Sequence, residues 1–481
     1  DGDDSEGGSS EGALTLARKS SAVKAAERRK RRSMAPGMLD ASEEDLERQR
    51  RGTFYQAKWF QDDPAESATE PCPSKLAHSL QKTGSDFQWI QGKRREETQL
   101  ILPIADFVVE LCSPKITLNT MSVFLIDQDR YTPYYRHYFY GKDHTNFLVY
   151  DENKDPIFVS VEKAKSSSSL SVPLRAFVRT CSPWTSESEA DMWIMIPPGS
   201  RSIKRAIARE LEDFVGPKPK LFELQEASQE AFLRLEDMLL MKAYKFGVLY
   251  MGEGQATEEA IFNNRDLAPN FMEFLEFLGD VIELKGWDGY RGGLDVKNGS
   301  TGERSVFTKL NDYDIMFHVG PLLPFTEGDP QQLAKKRHIG NDIVVIIFKD
   351  DNSAEPLDPS IFVSEFNHVF AVVQKISHPD VVQLKQAGEV TDINQTYYRV
   401  AFVSKDGVHS LEPPIPKEVF QKNQKFHRLF LTKAVNSERS AMYADKFVTK
   451  MARTRLALMQ DSGKDLQKLE KKEKTWQLLK K

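Results

Sequence analysis

The chain has 481 residues, 40% of them hydrophobic and 10% aromatic, which is enough for two or three domains with ordinary cores. Its three cysteines are too few and too widely spaced for a disulfide framework or a Cys-x-x-Cys metal site, so we expect a reducing, cytoplasmic location. The net charge of −5 is modest, and no stretch approaches the run of about 18 apolar residues that crosses a membrane.

The first 70 residues are poor in core-forming side chains and rich in charge. They are acidic from Asp1 to Glu11 and strongly basic from Arg28 to Arg32. Such a segment cannot offset its ordering entropy by burial, so we predict a disordered tail. The basic run, followed by Ser33, is typical of a nuclear signal, a contact with acidic membranes or a kinase site, but a solvated tail is the simpler interpretation.

Residues 98–220 form a predicted unit of mostly β structure. Short apolar runs alternate there with turn residues, and a helix predicted at Arg205–Phe214 closes the unit. The predicted strands are Gln99–Val109, Ser122–Asp127, Tyr134–Tyr140, Phe147–Tyr150, Ile157–Glu162 and Leu170–Leu174. Counting that helix, this is a smaller α+β domain, and it contains no pattern of a catalytic site.

Residues 221–458 have a different pattern, in which apolar runs alternate with helical segments. This pattern indicates an α/β domain with a central sheet flanked by helices. The predicted strands are Phe246–Tyr250, Ile315–Val319, Ile343–Phe348, Val369–Val373 and Tyr398–Val403, and the predicted helices are Pro269–Leu284 and Phe420–Leu458. Residues 459–481 have only a thin apolar stripe among charges, so we expect a marginal or partner-dependent helical tail.

Several chemical motifs are missing from the sequence. There is no phosphate-binding loop, no zinc-binding His-Glu-x-x-His and no Gly-x-Ser-x-Gly elbow, and the pair Gly252 and Gly254 lacks the third glycine of a dinucleotide fingerprint. We therefore expect no metal, no cofactor and no nucleotide site belonging to this chain.

One segment has unusually clear helix-start chemistry. Asp329 is a good N-cap, Pro330 suits the first helical position, and Gln332 stands where a capping box places its glutamine. The sequence thus predicts a firmly started helix from this point.

The sequence also contains clear signals for the end of the same helix. Positive charge from Lys335 to His338 suits its last turn, and Gly340 can end it in a left-handed conformation. An apolar strand is predicted from Ile343 onward. Asn341 is left at the junction, on a rigid support and beside positive charge.

At these residues the chain resembles the Rap GTPase-activating proteins, over roughly Leu100–Leu458. The hallmark is Lys336-Arg-His-Ile-Gly-Asn-Asp-Ile-Val344. The other matching strings are Tyr138-Phe-Tyr-Gly-Lys-Asp-His144, Tyr244-Lys-Phe-Gly-Val-Leu-Tyr250, Phe271-Met-Glu-Phe-Leu-Glu-Phe-Leu-Gly279, Tyr290-Arg-Gly-Gly-Leu-Asp295, Ile315-Met-Phe-His-Val319 and Leu323-Pro-Phe-Thr-Glu-Gly-Asp329.

The resemblance implies an activator of a Rap-type small GTPase that works through an inserted "Asn thumb". Asn341 would be that thumb, and its carboxamide would replace the glutamine that positions the attacking water in many small GTPases. His338 and Arg337 would support the thumb or contact the GTPase, and His318 and Arg455 are weaker candidates for shaping the site or the interface. GTP and Mg²⁺ would belong to the partner, and no arginine finger is implied.

The resemblance also implies an overall organisation. The family's catalytic domain has an α/β core similar to the GTPase fold, and the domain before it mediates dimerisation. We accordingly expect a homodimer through residues 98–220, with membranes reached only through partners or peripheral contact.

Three other functions remain open at this point. Related activators of the tuberin type act on Rheb or Ral GTPases, and a non-catalytic module could hold a GTPase or scaffold without accelerating hydrolysis. Nucleic-acid binding through residues 18–33 is disfavoured by the pI of about 6.1 and the lack of an aromatic and basic platform.

Overall fold

The structure is a computed structural model that describes residues 100–479 except 111, 113–122, 126–132, 164–172, 182–190, 201, 351–354 and 410. The predicted disordered tail lies outside the described residues. The described chain divides into a smaller unit, residues 143–178 and 193–225, and a larger unit that contains the rest. Residues 100–142 and 179–192 thus cluster with the larger unit, although the sequence interpretation placed all of 98–220 in one domain.

The elements alternate along the chain as follows. The strands are β1 Phe107–Val109, β2 His144–Tyr150, β3 Pro156–Glu162, β4 Leu174–Arg179, β5 Asp191–Ile196, β6 Phe222–Glu223, β7 Ala243–Met251, β8 Asp280–Glu283, β9 Arg304–Leu310, β10 Tyr313–Val319, β11 Val344–Lys349, β12 Val369–Lys375, β13 Tyr397–Lys405 and β14 Val419–Gln421. The helices are α1 Tyr134–Tyr138, α2 Ile203–Val215, α3 Gln229–Leu239, α4 Glu258–Phe262, α5 Pro269–Leu278, α6 Leu333–Ile339, α7 His378–Gln386, α8 Gln424–Ala441 and α9 Asp445–Leu479.

The smaller unit is built on a five-stranded sheet with the order β5-β4-β3-β2-β6 and contains helix α2. The strands predicted at Phe147–Tyr150 and Ile157–Glu162 are confirmed as β2 and β3, which pair antiparallel. The predicted helix Arg205–Phe214 is confirmed as α2, whose first turn is capped by the Ser202 hydroxyl accepting from the Arg205 amide.

The larger unit is built on a sheet with the order β1-β13-β12-β11-β7-β10-β9-β8, and β14 pairs with β13. Its centre, β12-β11-β7-β10, is parallel, and the flanking pairings are antiparallel. The five strands predicted for this region are confirmed as β7, β10, β11, β12 and β13. The central sheet flanked by helices, expected from the sequence, is therefore present.

Both faces of the sheet are buried at its centre, which explains why β11 and β12 are apolar over most of their length. Along β11, Val344, Ile346 and Phe348 pack into a core with α5 and α8, whereas Val345 and Ile347 pack into a second core with Ile339 of α6 and residues of α4. Helix α6 is thus fixed to one face of the sheet directly before β11 begins.

Three predicted elements of the larger unit differ from the structure in their bounds or pairing, and a fourth differs in type. The run Gln99–Val109 contributes only β1, which pairs with β13 of the large sheet rather than with a separate β unit. Helix Pro269–Leu284 ends at Leu278, because a Cβ at Gly279 would lie 2.4 Å from the Phe307 carbonyl oxygen and the chain continues as β8 along β9. The region predicted as one helix, Phe420–Leu458, contains the end of β14, then α8 and most of α9. The Asn423 side chain caps α8, and α9 continues through the charged tail.

The predicted strand Tyr134–Tyr140 is wrong, because these residues form helix α1 and the turn after it. The Glu236 carboxylate, about a hundred residues away, accepts hydrogen bonds from the Tyr135 and Arg136 amides at 2.6 and 2.9 Å. Tyr135 and Phe139 stack one helical turn apart, with ring centroids 6.0 Å apart. A distant carboxylate thus caps a helix for which the local sequence provides no N-cap.

Candidate functional site

Helix α6 begins three residues later than the capping pattern predicted. Gln332 adopts a left-handed conformation, with φ 47°, and the helix starts at Leu333. The Gln332 side chain turns back into the preceding loop, where its amide donates to the carbonyl oxygens of Thr326 and Asp329 at 2.9 and 2.6 Å. Asp329 still caps the turn, since its carboxylate accepts from the Gln331 and Leu333 amides.

The helix end also differs in conformation from the prediction. Gly340 has φ −66° and is right-handed, so the predicted left-handed ending is wrong. Glycine is needed here for space, because a Cβ would lie 2.5 Å from the Lys336 carbonyl oxygen. The Gly340 amide donates to that same carbonyl at 2.8 Å, which keeps the turn tight.

Asn341 follows this turn and has an exposed side chain. Its Nδ2 donates to the Arg337 carbonyl oxygen at 2.6 Å, and its backbone amide donates to the His338 carbonyl at 2.9 Å. Within the described part of the chain, no protein group donates to Oδ1 of Asn341. The carboxamide is therefore tied at its nitrogen and presents its oxygen as an acceptor.

The backbone around Asn341 is held by three residues from outside the turn. Asn367 Nδ2 donates to the Ile339 and Asp342 carbonyl oxygens at 2.9 and 2.6 Å, and the Ser364 hydroxyl donates to the Gly340 carbonyl at 2.5 Å. Lys245 Nζ on β7 donates to the carbonyl oxygen of Asn341 itself at 2.9 Å. Every backbone carbonyl from residue 336 to 342 thus has a hydrogen-bond donor, and this fixes the turn.

A buried charged cluster lies directly beneath the turn. The Asp342 carboxylate is fully buried and lies 2.6 Å from Lys245 Nζ and 2.8 Å from Nδ1 of His318. Nε2 of His318 lies 2.9 Å from the Gly292 carbonyl oxygen, so both ring nitrogens face groups that only accept. Gly247 makes room for this cluster, because a Cβ there would lie 2.8 Å from the Ile339 side chain and 3.4 Å from the Asp342 carboxylate.

His338 lies at the edge of this cluster. Its ring packs edge-on against His318, with centroids 5.4 Å apart, and it is half-buried. Burial lowers the pKa of the His338 imidazole, and the His318 and Lys245 charges lower it further against the opposing effect of Asp342. His338 is therefore neutral at pH 7, whereas the neighbouring Arg337 side chain is exposed.

The two lysines of α6 bind neighbouring structure. Lys335 is fully buried, and its ammonium donates to the Phe262 and Asn264 carbonyl oxygens at 3.0 and 2.7 Å. Burial lowers the pKa of Lys335 to about 8. Lys336 pairs with Glu258 of α4 at 2.8 Å. These contacts attach α6 to α4 and to the residues after α4. The two lysines therefore hold the helix in place, in addition to any favourable interaction with its dipole.

Arg455 lies in a separate buried cluster. Its Nε donates to the Thr180 carbonyl oxygen at 2.8 Å and its guanidinium pairs with Asp191 at 2.5 Å. The side chain is 1% exposed, so this structure does not present it to a partner. A supporting role for Arg455 stays a prediction.

Exposed apolar side chains flank α6. Leu333 is 59% exposed and lies one helical turn before Arg337, and Val363 is 79% exposed beside Ser364, which holds Gly340. A pocket of about 230 Å³ adjoins Val363 and is lined also by Ala256, Thr257, Glu258, Glu259, Gln331, Lys336 and Ile361. The surface near the turn that carries Asn341 thus combines exposed apolar side chains, the exposed Arg337 and a pocket with both acidic and basic groups.

Sequence reasoning missed most of the residues that hold Asn341. Lys245 and Asp342 lie inside the matching strings, and a charge within or beside an apolar strand was the signal that could have drawn attention to them. Ser364 and Asn367 hydrogen-bond to carbonyl oxygens that lie 24 and 28 residues earlier in the chain, and no local sequence pattern distinguishes these two residues.

The described residues contain no cluster of three or more His, Cys, Asp or Glu arranged for a metal ion. None of the described helices has the length and apolar character needed to span a membrane.

Comparison with known proteins gives a consistent picture. Residues 261–456 match the family model for Rap/ran-GAP. Human signal-induced proliferation-associated protein 1 is 37% identical over 338 residues, covering 68% of this chain and 31% of that protein. Chicken GTPase-activating Rap/Ran-GAP domain-like protein 3 is 33% identical over 360 residues, covering 73% and 36%.

Among solved structures, the one titled "Structure of the TSC2 GAP domain" is 31% identical, with a TM-score of 0.34, and the match covers 41% of this chain and 98% of that one. The chain spans about a third of the length of the curated relatives described above.

Proposed function

Because the chain belongs to the Rap-GAP family, we propose that it stimulates GTP hydrolysis by a Rap-type small GTPase and so switches that GTPase off. The observation that carries this proposal is the exposed Asn341 carboxamide on a turn whose backbone carbonyls are all hydrogen-bonded. The name of the chicken relative, which refers to Rap and Ran, supports a small GTPase as the partner.

The chemistry required of the activator is positional. GTP hydrolysis needs a water held in line with the γ-phosphate, and activator proteins speed hydrolysis by small GTPases by up to about 10⁵ in total, or roughly 7 kcal/mol of barrier. With Nδ2 tied to the Arg337 carbonyl, Oδ1 of Asn341 is free to accept a hydrogen bond from that water. GTP and Mg²⁺ would come with the partner, and this chain would contribute no nucleotide site.

The neighbouring residues have separate parts in this proposal. Neutral His338 would support the turn from the side of His318, and exposed Arg337 would contact acidic groups on the GTPase. The exposed Leu333 and Val363 side chains would contact apolar groups of the same partner.

The test is single-turnover GTP hydrolysis by purified Rap, with Rheb and Ral in parallel, with and without the chain. We expect wild type to accelerate Rap strongly and Asn341→Ala to lose most of the effect while still binding. Asn341→Asp is the matched control, because it keeps the shape but cannot donate to the Arg337 carbonyl. Stronger acceleration of Rheb or Ral would identify the tuberin-type alternative, and binding without acceleration of any of them would identify a non-catalytic module.

We also propose that the chain acts in the cytoplasm as a homodimer through residues 98–220, as the resemblance implies. Light scattering at micromolar concentration tests the oligomeric state, and a monomer throughout would remove the dimer from the proposal.

A further inference from the structure

A buried carboxylate requires an explanation in this turn. Asp342 has no exposed surface, and removing a charge from water costs several kcal/mol even after relaxation. Replacing a buried ionic group with apolar residues of similar volume is often neutral or stabilising, so folding stability alone is a weak reason for its presence. Its position immediately after Asn341 suggests a role in the site.

The contacts of Asp342 form a continuous path to Asn341. The Gly292 carbonyl fixes the His318 ring, and the ring holds one oxygen of the carboxylate at 2.8 Å. The other oxygen holds Lys245 Nζ at 2.6 Å, and that ammonium donates to the Asn341 carbonyl at 2.9 Å. Two strands, β7 and β10, thereby place one cation on the backbone of Asn341.

We propose that Asp342 is a positioning residue, which sets the place of the Asn341 carboxamide by orienting Lys245. The inference rests on the proposed function and adds to it the residue that positions Asn341. Lys245 alone has a long, flexible stem and a point charge. The carboxylate removes that freedom, because it allows the ammonium only the position that also reaches the Asn341 carbonyl.

Other charged groups surround this path. Glu438 of α8 is buried near Lys245 and Asp342, with its Oε2 unpaired among the described residues. Burial raises the pKa of Tyr290, and the Glu438 and Asp342 carboxylates raise it further. His338 faces Asp342 from α6. Within this set, Lys245 is the group that hydrogen-bonds both the Asp342 carboxylate and the Asn341 carbonyl.

The test is Asp342→Asn in single-turnover hydrolysis with the activator titrated to saturation. Misplacing a catalytic group by about 1 Å costs about 100-fold, so we expect kcat to fall 10- to 100-fold with KM nearly unchanged. Lys245→Met should lower kcat similarly, and the double variant should be no worse than either single variant, since both changes break one path.

The matched control is Asp191→Asn. Asp191 is also a buried aspartate that pairs with two cations, Arg179 and Arg455, in a different cluster of the same unit. Both variants are expected to lose stability, which thermal unfolding measures. A purely structural role predicts unchanged kcat per folded molecule in both variants, and that result for Asp342→Asn would overturn the proposal.

A second readout does not depend on activity. The amides of residues 340, 341 and 342 are hydrogen-bonded to the carbonyls of Lys336, His338 and Ile339, so they are protected from hydrogen exchange. Asp342→Asn should speed exchange at these three amides, and Asp191→Asn should not. If wild type accelerates no GTPase, the proposed function fails, and the exchange rates still decide whether Asp342 sets the turn: unchanged rates overturn it.

Discussion

The substitution Gly340→Ala tests whether the exact place of Asn341 matters, because it leaves every functional side chain intact. The backbone angles of Gly340 suit alanine, so the change acts through space alone. The added Cβ would lie 2.5 Å from the Lys336 carbonyl oxygen, and ordinary contact begins near 3.4 Å. The turn must therefore open by about 0.9 Å, the difference between these two distances.

A displacement of this size next to Asn341 should lower kcat by roughly 100-fold, or about 2.7 kcal/mol of barrier. Binding should change less, since Arg337 and the exposed apolar side chains remain. The assay is saturating single-turnover hydrolysis, with Gly252→Ala as control, because a Cβ at Gly252 meets its nearest atom at an ordinary 3.5 Å. A folded Gly340→Ala protein with wild-type kcat would refute the argument that this tight turn positions Asn341.

Two further predictions concern buried charges. Burial raises the pKa of Glu438 to about 8, with Asp342 adding to the effect of burial and Lys245 opposing it, from a usual value of 4.5. The protonated Glu438 side chain therefore contributes its full share of the free energy of unfolding below about pH 4.5. That contribution is lost as the pH rises to about 8. Urea unfolding should show wild type losing a few kcal/mol between about pH 5 and about pH 9, and Glu438→Gln should flatten this slope; equal slopes would contradict it. Arg455→Met should destabilise the fold by about 3–5 kcal/mol by leaving Asp191 with one cation fewer, and kcat per folded molecule should be unchanged. A loss of kcat without loss of stability would instead place Arg455 in the functional site.

Strands were the most predictable part of the fold. A run such as Val344–Lys349 is apolar for almost its whole length because both faces of a parallel sheet are covered. The local sequence therefore predicts that this strand is buried. The position of Asn341 followed from the same signal, since it lies where a helix ends and this strand begins. Local patterns therefore placed Asn341 at this junction, and the resemblance to the Rap GTPase-activating proteins made it the candidate residue.

The features that fix Asn341 depend on contacts between distant parts of the chain. Asn367 and Ser364 reach back across more than twenty residues, and Lys245 reaches across 96. The start of α6 was misplaced because Gln332 turned away from the helix to bond Thr326. Sequence patterns report the propensities of neighbouring residues, and they do not show which hydrogen-bond partner, near or distant along the chain, a side chain will choose over a local cap.

The bond from Asn341 Nδ2 to the Arg337 carbonyl has a consequence for how fast an encounter becomes productive. Immobilising a free side chain on binding costs about 0.5–1.5 kcal/mol of conformational entropy. Here the hydrogen bond orders the side chain before the partner arrives, because the short asparagine stem reaches the carbonyl one helical turn back. Because the amide is already ordered, the complex would not need to select one Asn341 rotamer, which saves up to about tenfold in rate. The acceleration would then depend on how the two proteins dock.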